Sequence, residues 1–143
     1  MIGGTMQERA LNHMDLLAQK ELDQRFCQAM SEKDLNGVMS CLWNDPNLIV
    51  VLFDGTVYRG WDNVREAVGD LFSGFSSVRL EIDEVSHLPL ADGAVAVCTA
   101  TFHLQGAEGS TQRIVERWTD VRRKVEGRWV YVLDHAHALP AAQ

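Results

Sequence analysis

From Val78 to Leu139 the chain reads as four long β-strands in succession, and this run limits the fold more than any other feature. Val78 to His87 alternates polar and apolar residues, and Leu88 to Gly93 is expected to form a loop. Ala94 to Gln105 is rich in Val, Thr and Phe, and Gly106 to Ser110 carries turn residues. Thr111 to Val125 and Arg128 to Leu139 complete the set, closed by Pro140. Strands joined by such short segments form an antiparallel meander, and one face of that meander must be covered.

The N-terminal half supplies the cover. Residues 14 to 31 read as a helix, with Leu22, Phe26, Ala29 and Met30 at three- and four-residue spacing. A second helix runs from Asp34, its expected cap, to about Trp43, with Leu35, Val38, Met39 and Leu42 as its stripe. Asn44-Asp45-Pro46-Asn47 stops it. Leu48 to Phe53 and Thr56 to Arg59 read as a hairpin about Asp54-Gly55. A third helix is capped by Asp62 and ends at Gly74. The first thirteen residues lack an apolar face and are expected to be a flexible tail. Residues 14–143 then form one α+β domain, a size that suits a single core.

The formal net charge of the 143 residues is -7. That sign argues against nucleic acid and against anionic membrane surfaces as partners. No apolar run approaches the ~20 residues that span a bilayer, and residues 1–6 lack the pattern of a secretory signal, so a cytoplasmic location is expected. Cys27, Cys41 and Cys98 are odd in number and lack CxxC spacing, which reads as small buried residues.

Arg117-Trp118-Thr119-Asp120-Val121, Gly127-Arg128-Trp129 and Asp134-His135-Ala136-His137 follow one another in the last two strands. Their order resembles the SnoaL-like pattern of R-x-T-x-V, then G-x-W, then a late histidine. Tyr58-Arg59-Gly60 fits that family's entry to the third helix. The resemblance is to the SnoaL-like domain of the nuclear transport factor 2-like (cystatin-like, ketosteroid-isomerase-like) superfamily, over roughly residues 14 to 139. It implies a curled antiparallel sheet of about six strands wrapped around three N-terminal-half helices, cone-shaped with one pocket. The fold hosts isomerases, cyclases, dehydratases and association domains, so it does not fix a function. The resembled isomerases carry a carboxylate base on the strand after the second helix. Leu48 to Phe53 has none, which speaks against that chemistry here.

Glu126 is a poor residue for the left-handed conformation of a two-residue turn, so a type I turn with a bulge at Gly127 is expected. That register sets Arg117 opposite His135. It collects Arg117, Thr119, Val121, Trp129, Tyr131, Leu133, His135 and His137 on one face, taken as the helix-covered one. His135 is then the candidate catalytic residue, as an acid, base or donor near neutral pH, or else a structural histidine. Arg117 holds a carboxylate or enolate, or pairs with Asp23 or Glu21. Thr119, Tyr131, Trp129, Tyr58 and Trp61 complete the ligand-binding set, with His103 either joining them or lying at an exposed strand end. A dehydratase-like set of His135, His103, Asp23 and Tyr58 is conceivable, without a spacing argument to unite it.

Trp118, Val130 and Val132 fall on the opposite, uncovered face, which predicts a homodimer through the sheet that buries Trp118. His135 and His137 lack a third ligand, so no metal is expected, and no cofactor either. The leading functional reading is a pocket for a small apolar ligand with a carbonyl or carboxylate group. The alternatives are an isomerase, cyclase or dehydratase on such a ligand, or a non-catalytic association domain.

Overall fold

The computed structural model describes residues 13–140, so the tail expected over residues 1–13 lies, except for His13, outside the described residues. The elements are α1 (His13–Ser31), α2 (Leu35–Ser40), β1 (Ile49–Val51), β2 (Val57–Arg59), α3 (Trp61–Gly74), β3 (Ser77–Leu90), β4 (Gly93–Gln105), β5 (Thr111–Val125) and β6 (Arg128–Ala138). The long strands form the expected meander. β1 and β2 extend it to a 6-stranded sheet of order β2-β1-β6-β5-β4-β3. β1 pairs antiparallel with β2 and parallel with β6, so the sheet is mixed rather than wholly antiparallel. Everything between β1 and β6 serves as the long crossover that a parallel pair requires.

Local chemistry sets the helix ends. Asp34 caps α2, its Oδ1 accepting from the Gly37 amide at 3.0 Å. α2 stops at Ser40, short of the expected Trp43. Gly60, at φ 88°, occupies the cap position of α3, so Asp62 lies in the first turn instead. Glycine reaches that φ without steric cost, and a carboxylate in the first turn still favours the positive end of the helix.

Two features of the last hairpin decide which residues meet the helices. Val125 pairs with Arg128, so the turn is Glu126-Gly127, at φ 51° and 80°. This is a two-residue turn of the type I′ kind, not the bulged turn expected from the dislike of Glu for that conformation. The bulge comes later: Val121 pairs with Leu133 and Arg122 with Tyr131, leaving Val132 as the extra residue. One extra residue reverses the side on which all later side chains emerge. Arg117 therefore lies opposite His137, and Thr119 opposite His135.

The helices cover the face that carries Glu116, Trp118, Asp120 and Arg122 of β5. Trp118 meets Phe26 of α1 edge to face at 5.9 Å between ring centroids, and Tyr131 meets the same ring at 5.4 Å. Leu22, Val38, Met39 and Leu48 are fully or almost fully buried between these layers. Among the described residues, no helix is long and apolar enough to cross a membrane.

Candidate functional site

A buried ion network pins α1 to the sheet. Arg122 Nε and Nη2 donate to the two carboxylate oxygens of Asp120 at 2.9 and 3.0 Å. Its Nη1 donates to Asp23 Oδ2 of α1 at 3.1 Å, with Nη2 equally close to Asp23 Oδ1. The Tyr131 hydroxyl also donates to Asp23, and the guanidinium lies 5.1 Å from the Tyr131 ring centroid. Burial alone disfavours the Arg122 charge, but Asp120 outweighs it and keeps the guanidinium firmly protonated. Ala94 and Ala96 on β4, paired with Arg122 and Asp120, are short enough to make room for these side chains.

Beside this network lies a chamber of about 160 Å³. Phe26 and Met30 of α1, Val64 and Leu71 of α3, Phe102 of β4 and Tyr58 of β2 are among its apolar walls. Two carboxyl groups, Glu116 and Asp134, interrupt this lining. The Trp118 indole N–H donates to Glu116 Oε1 at 2.7 Å. Burial nevertheless raises the proton affinity of Glu116 above its ordinary value. Asp134 is paired across the sheet with Asp120, and its Oδ1 is buried without a hydrogen-bond partner among the described residues. Burial, then the charges of Asp120 and Glu116, push Asp134 well above its ordinary value. These influences favour the protonated carboxyl, the form with an O–H to donate.

Most of the polar anchors expected from the sequence are elsewhere. Arg117, Thr119 and His135 are exposed on the outer face, and so is His137, because the parity assigned to the helix-covered side was reversed. Arg117 does not meet Asp23; Arg122, five residues on, does. His103 shares the outer face, its Nε2 3.8 Å from Glu81, rather than joining the pocket. Tyr131 and Trp129 do face inward, but Tyr131 is spent on Asp23 and Trp129 is core, without lining the chamber. Trp61 donates to the Met39 carbonyl at 3.2 Å and is likewise outside the lining. Tyr58 alone of the expected ligand-binding set reaches it.

The proposed interface residues also move. Trp118 is 5% exposed and sits beneath α1, so it cannot anchor a surface contact. Val130 is buried and Val132 half-buried. The residues overlooked by the sequence reading are Glu116, Asp120, Arg122 and Asp134. The signal that could have found them is the spacing Glu116-x-Trp118-x-Asp120-x-Arg122. It places opposite charges on one strand face beside a tryptophan. Burial raises the Cys27 and Cys98 thiols to about 12, which keeps them protonated near neutral pH. No group of three metal-ligating side chains forms among the described residues.

The profile of the SnoaL-like domain matches residues 20–140. No curated protein matches the chain. Among solved structures, a nuclear transport factor 2-like protein of Streptomyces avermitilis, provisionally named a dehydratase, is 18% identical with a TM-score of 0.82. The match covers 90% of this chain and 98% of that one. A Novosphingobium aromaticivorans protein, provisionally named an aromatic ring hydroxylase, is 18% identical with a TM-score of 0.84, over 92% of this chain and 94% of that one. A Thiobacillus denitrificans protein provisionally named a calcium/calmodulin-dependent protein kinase type II association domain is 20% identical with a TM-score of 0.72. That match covers 85% of this chain and 94% of the other. At these identities the likeness is one of fold.

Proposed function

The chain belongs to the SnoaL-like domain family, and from that premise we propose that its chamber binds a small, neutral, largely apolar molecule through one oxygen acceptor. The observation that carries this reading is Asp134. A buried acid with an unpartnered oxygen, facing an apolar space, suits a carbonyl, hydroxyl or ether oxygen that accepts its proton in a hydrogen bond. The carboxylate ligand entertained from the sequence fits poorly. No Lys, Arg or His among the described residues lines the chamber, so nothing there offsets the cost of taking an anion out of water. A volume of about 160 Å³ resembles the ~150 Å³ of an apolar cavity that accepts benzene, so the guest is about one ring in size.

An isomerase, cyclase or dehydratase is the alternative use of the same pocket, with Asp134 as proton donor and Glu116 as acceptor. The provisional dehydratase and hydroxylase names of the similar structures are compatible with it. Calorimetric titration with cyclohexanone and with cyclohexanecarboxylate separates the two ligand classes. The ketone is expected to bind and the carboxylate not, with Arg117→Ala unchanged and Asp134→Leu silent. Equal binding of the carboxylate, or ketone binding that survives in Asp134→Leu, would sink the assignment.

A second reading, association of two copies through the outer face of the sheet, rests on Val97, Val121 and Leu133, which leave part of their surface open there. The association-domain name of one similar structure supports it. Sedimentation is expected to give a dimer for the native chain and a monomer for Leu133→Asp. A monomeric native chain refutes it.

A further inference from the structure

Gln19 lies one turn before Asp23 on the buried side of α1. It is fully enclosed, at 0% exposure, and neither its Oε1 nor its Nε2 has a hydrogen-bond partner among the described residues. His87 on β3 shares the condition, with a buried and unpartnered Nε2. Native interiors rarely leave such atoms unmet, because each forfeits its hydration without compensation.

The two residues belong to one neighbourhood. His87 pairs with Ala96 of β4, and Ala96 with Asp120 of β5, in a row across the helix-covered face. Burial and then the Arg122 charge lower the proton affinity of His87, with Asp23 and Lys20 also acting on it. Lys20 follows Gln19 directly, and Asp23 is its next turn. The ring is thus neutral and its Nε2 serves as donor or acceptor. Ala96, which lies between His87 and Asp120 in that row, carries a single methyl group and is completely buried. The adjoining polar groups are already engaged: Arg122 with Asp120 and Asp23, and Tyr131 with Asp23. None of them hydrogen-bonds Gln19 or the His87 Nε2.

We infer that Gln19 and His87 together hold a buried water molecule above Ala96. Gln19 offers a donor and an acceptor and His87 one ring nitrogen, which meets the two to four partners an internal water requires. The water bridges α1 to β3 at the end of the helix away from Phe26 and Met30. It thereby helps hold the wall that those two residues give to the chamber.

A crystal structure that resolves internal waters is expected to show one within hydrogen-bond reach of both side chains. A direct Gln19–His87 bond, an empty space, or another side chain seated there overturns the proposal. A cycle of Gln19→Leu, His87→Leu and the double variant gives a second measure that needs no crystal. If a shared water is lost, each single variant lowers the unfolding midpoint and the double variant loses less than the sum. If the atoms are simply unmet, Gln19→Leu raises the midpoint, and that result, like strict additivity, rejects the water.

Discussion

Arg122→Met is expected to destabilise the fold by about 3–5 kcal/mol, the usual cost of removing one partner from a buried ion pair. The variant deletes every hydrogen bond between Arg122 and the carboxylates of Asp120 and Asp23. Asp120 is 1% exposed, so no water replaces the lost donors. Among the described residues, Asp23 keeps only the Tyr131 hydroxyl as a hydrogen-bond donor. Domains of this size hold roughly 5–15 kcal/mol in all, so the loss is a large share of the total. Urea unfolding measures it directly. The deficit should shrink as pH falls, because protonation relieves the stranded carboxylates. The double variant Arg122→Met with Asp120→Asn should recover part of the loss at neutral pH. A deficit below about 1 kcal/mol would place Arg122 among ordinary surface pairs and would remove the network as the pin of α1.

That network also explains how far the sequence could be read. The element order, the long meander, the cap at Asp34 and the helix end at Gly74 follow from periodicity and turn residues, whose signals are local. The orientation of β5 and β6 does not. With the two-residue turn, alternation puts Trp118 on one face with Trp129 and Tyr131, whereas the expected bulged turn sends Trp118 to the opposite face. The bulge at Val132 then turns Asp134 and Ala136 inward, in place of Leu133 and His135. Nothing marks it, since Tyr131, Val132 and Leu133 all suit a regular strand. The turn misled in the same direction. Glu126 adopts a left-handed φ of 51° that its side chain disfavours, because the strands on either side fix the turn length. The candidate site suffered most. Counting large apolar residues chose the face with Leu133 and Val121, whereas the true interior face carries Asp120, Arg122 and Asp134 and buries them by pairing or by protonation.

Asp134→Leu is expected to stabilise the protein near neutral pH by about 1–3 kcal/mol, the penalty for a buried polar group without a partner. Its ordinary value as a free carboxyl is 3.8, and burial raises the folded value well above that. As pH rises past the unfolded value, the unfolded chain gives up this proton while the folded protein keeps it. The folded state then binds more protons, so stability falls with rising pH until the folded carboxyl also ionises. Leucine removes this slope. A shallower one remains from Glu116, whose proton affinity burial also raises. Urea midpoints across a pH series give the comparison: the native chain should lose stability as pH climbs, and the variant should lose less, so that the gap between them widens. The variant should also no longer bind cyclohexanone, because the donor has gone. A side chain whose removal strengthens the fold and abolishes the ligand has been kept for the ligand. A variant weaker than the native chain at neutral pH, or one with the same pH profile, would instead mean that Asp134 is satisfied within the fold and has no proton to offer the chamber.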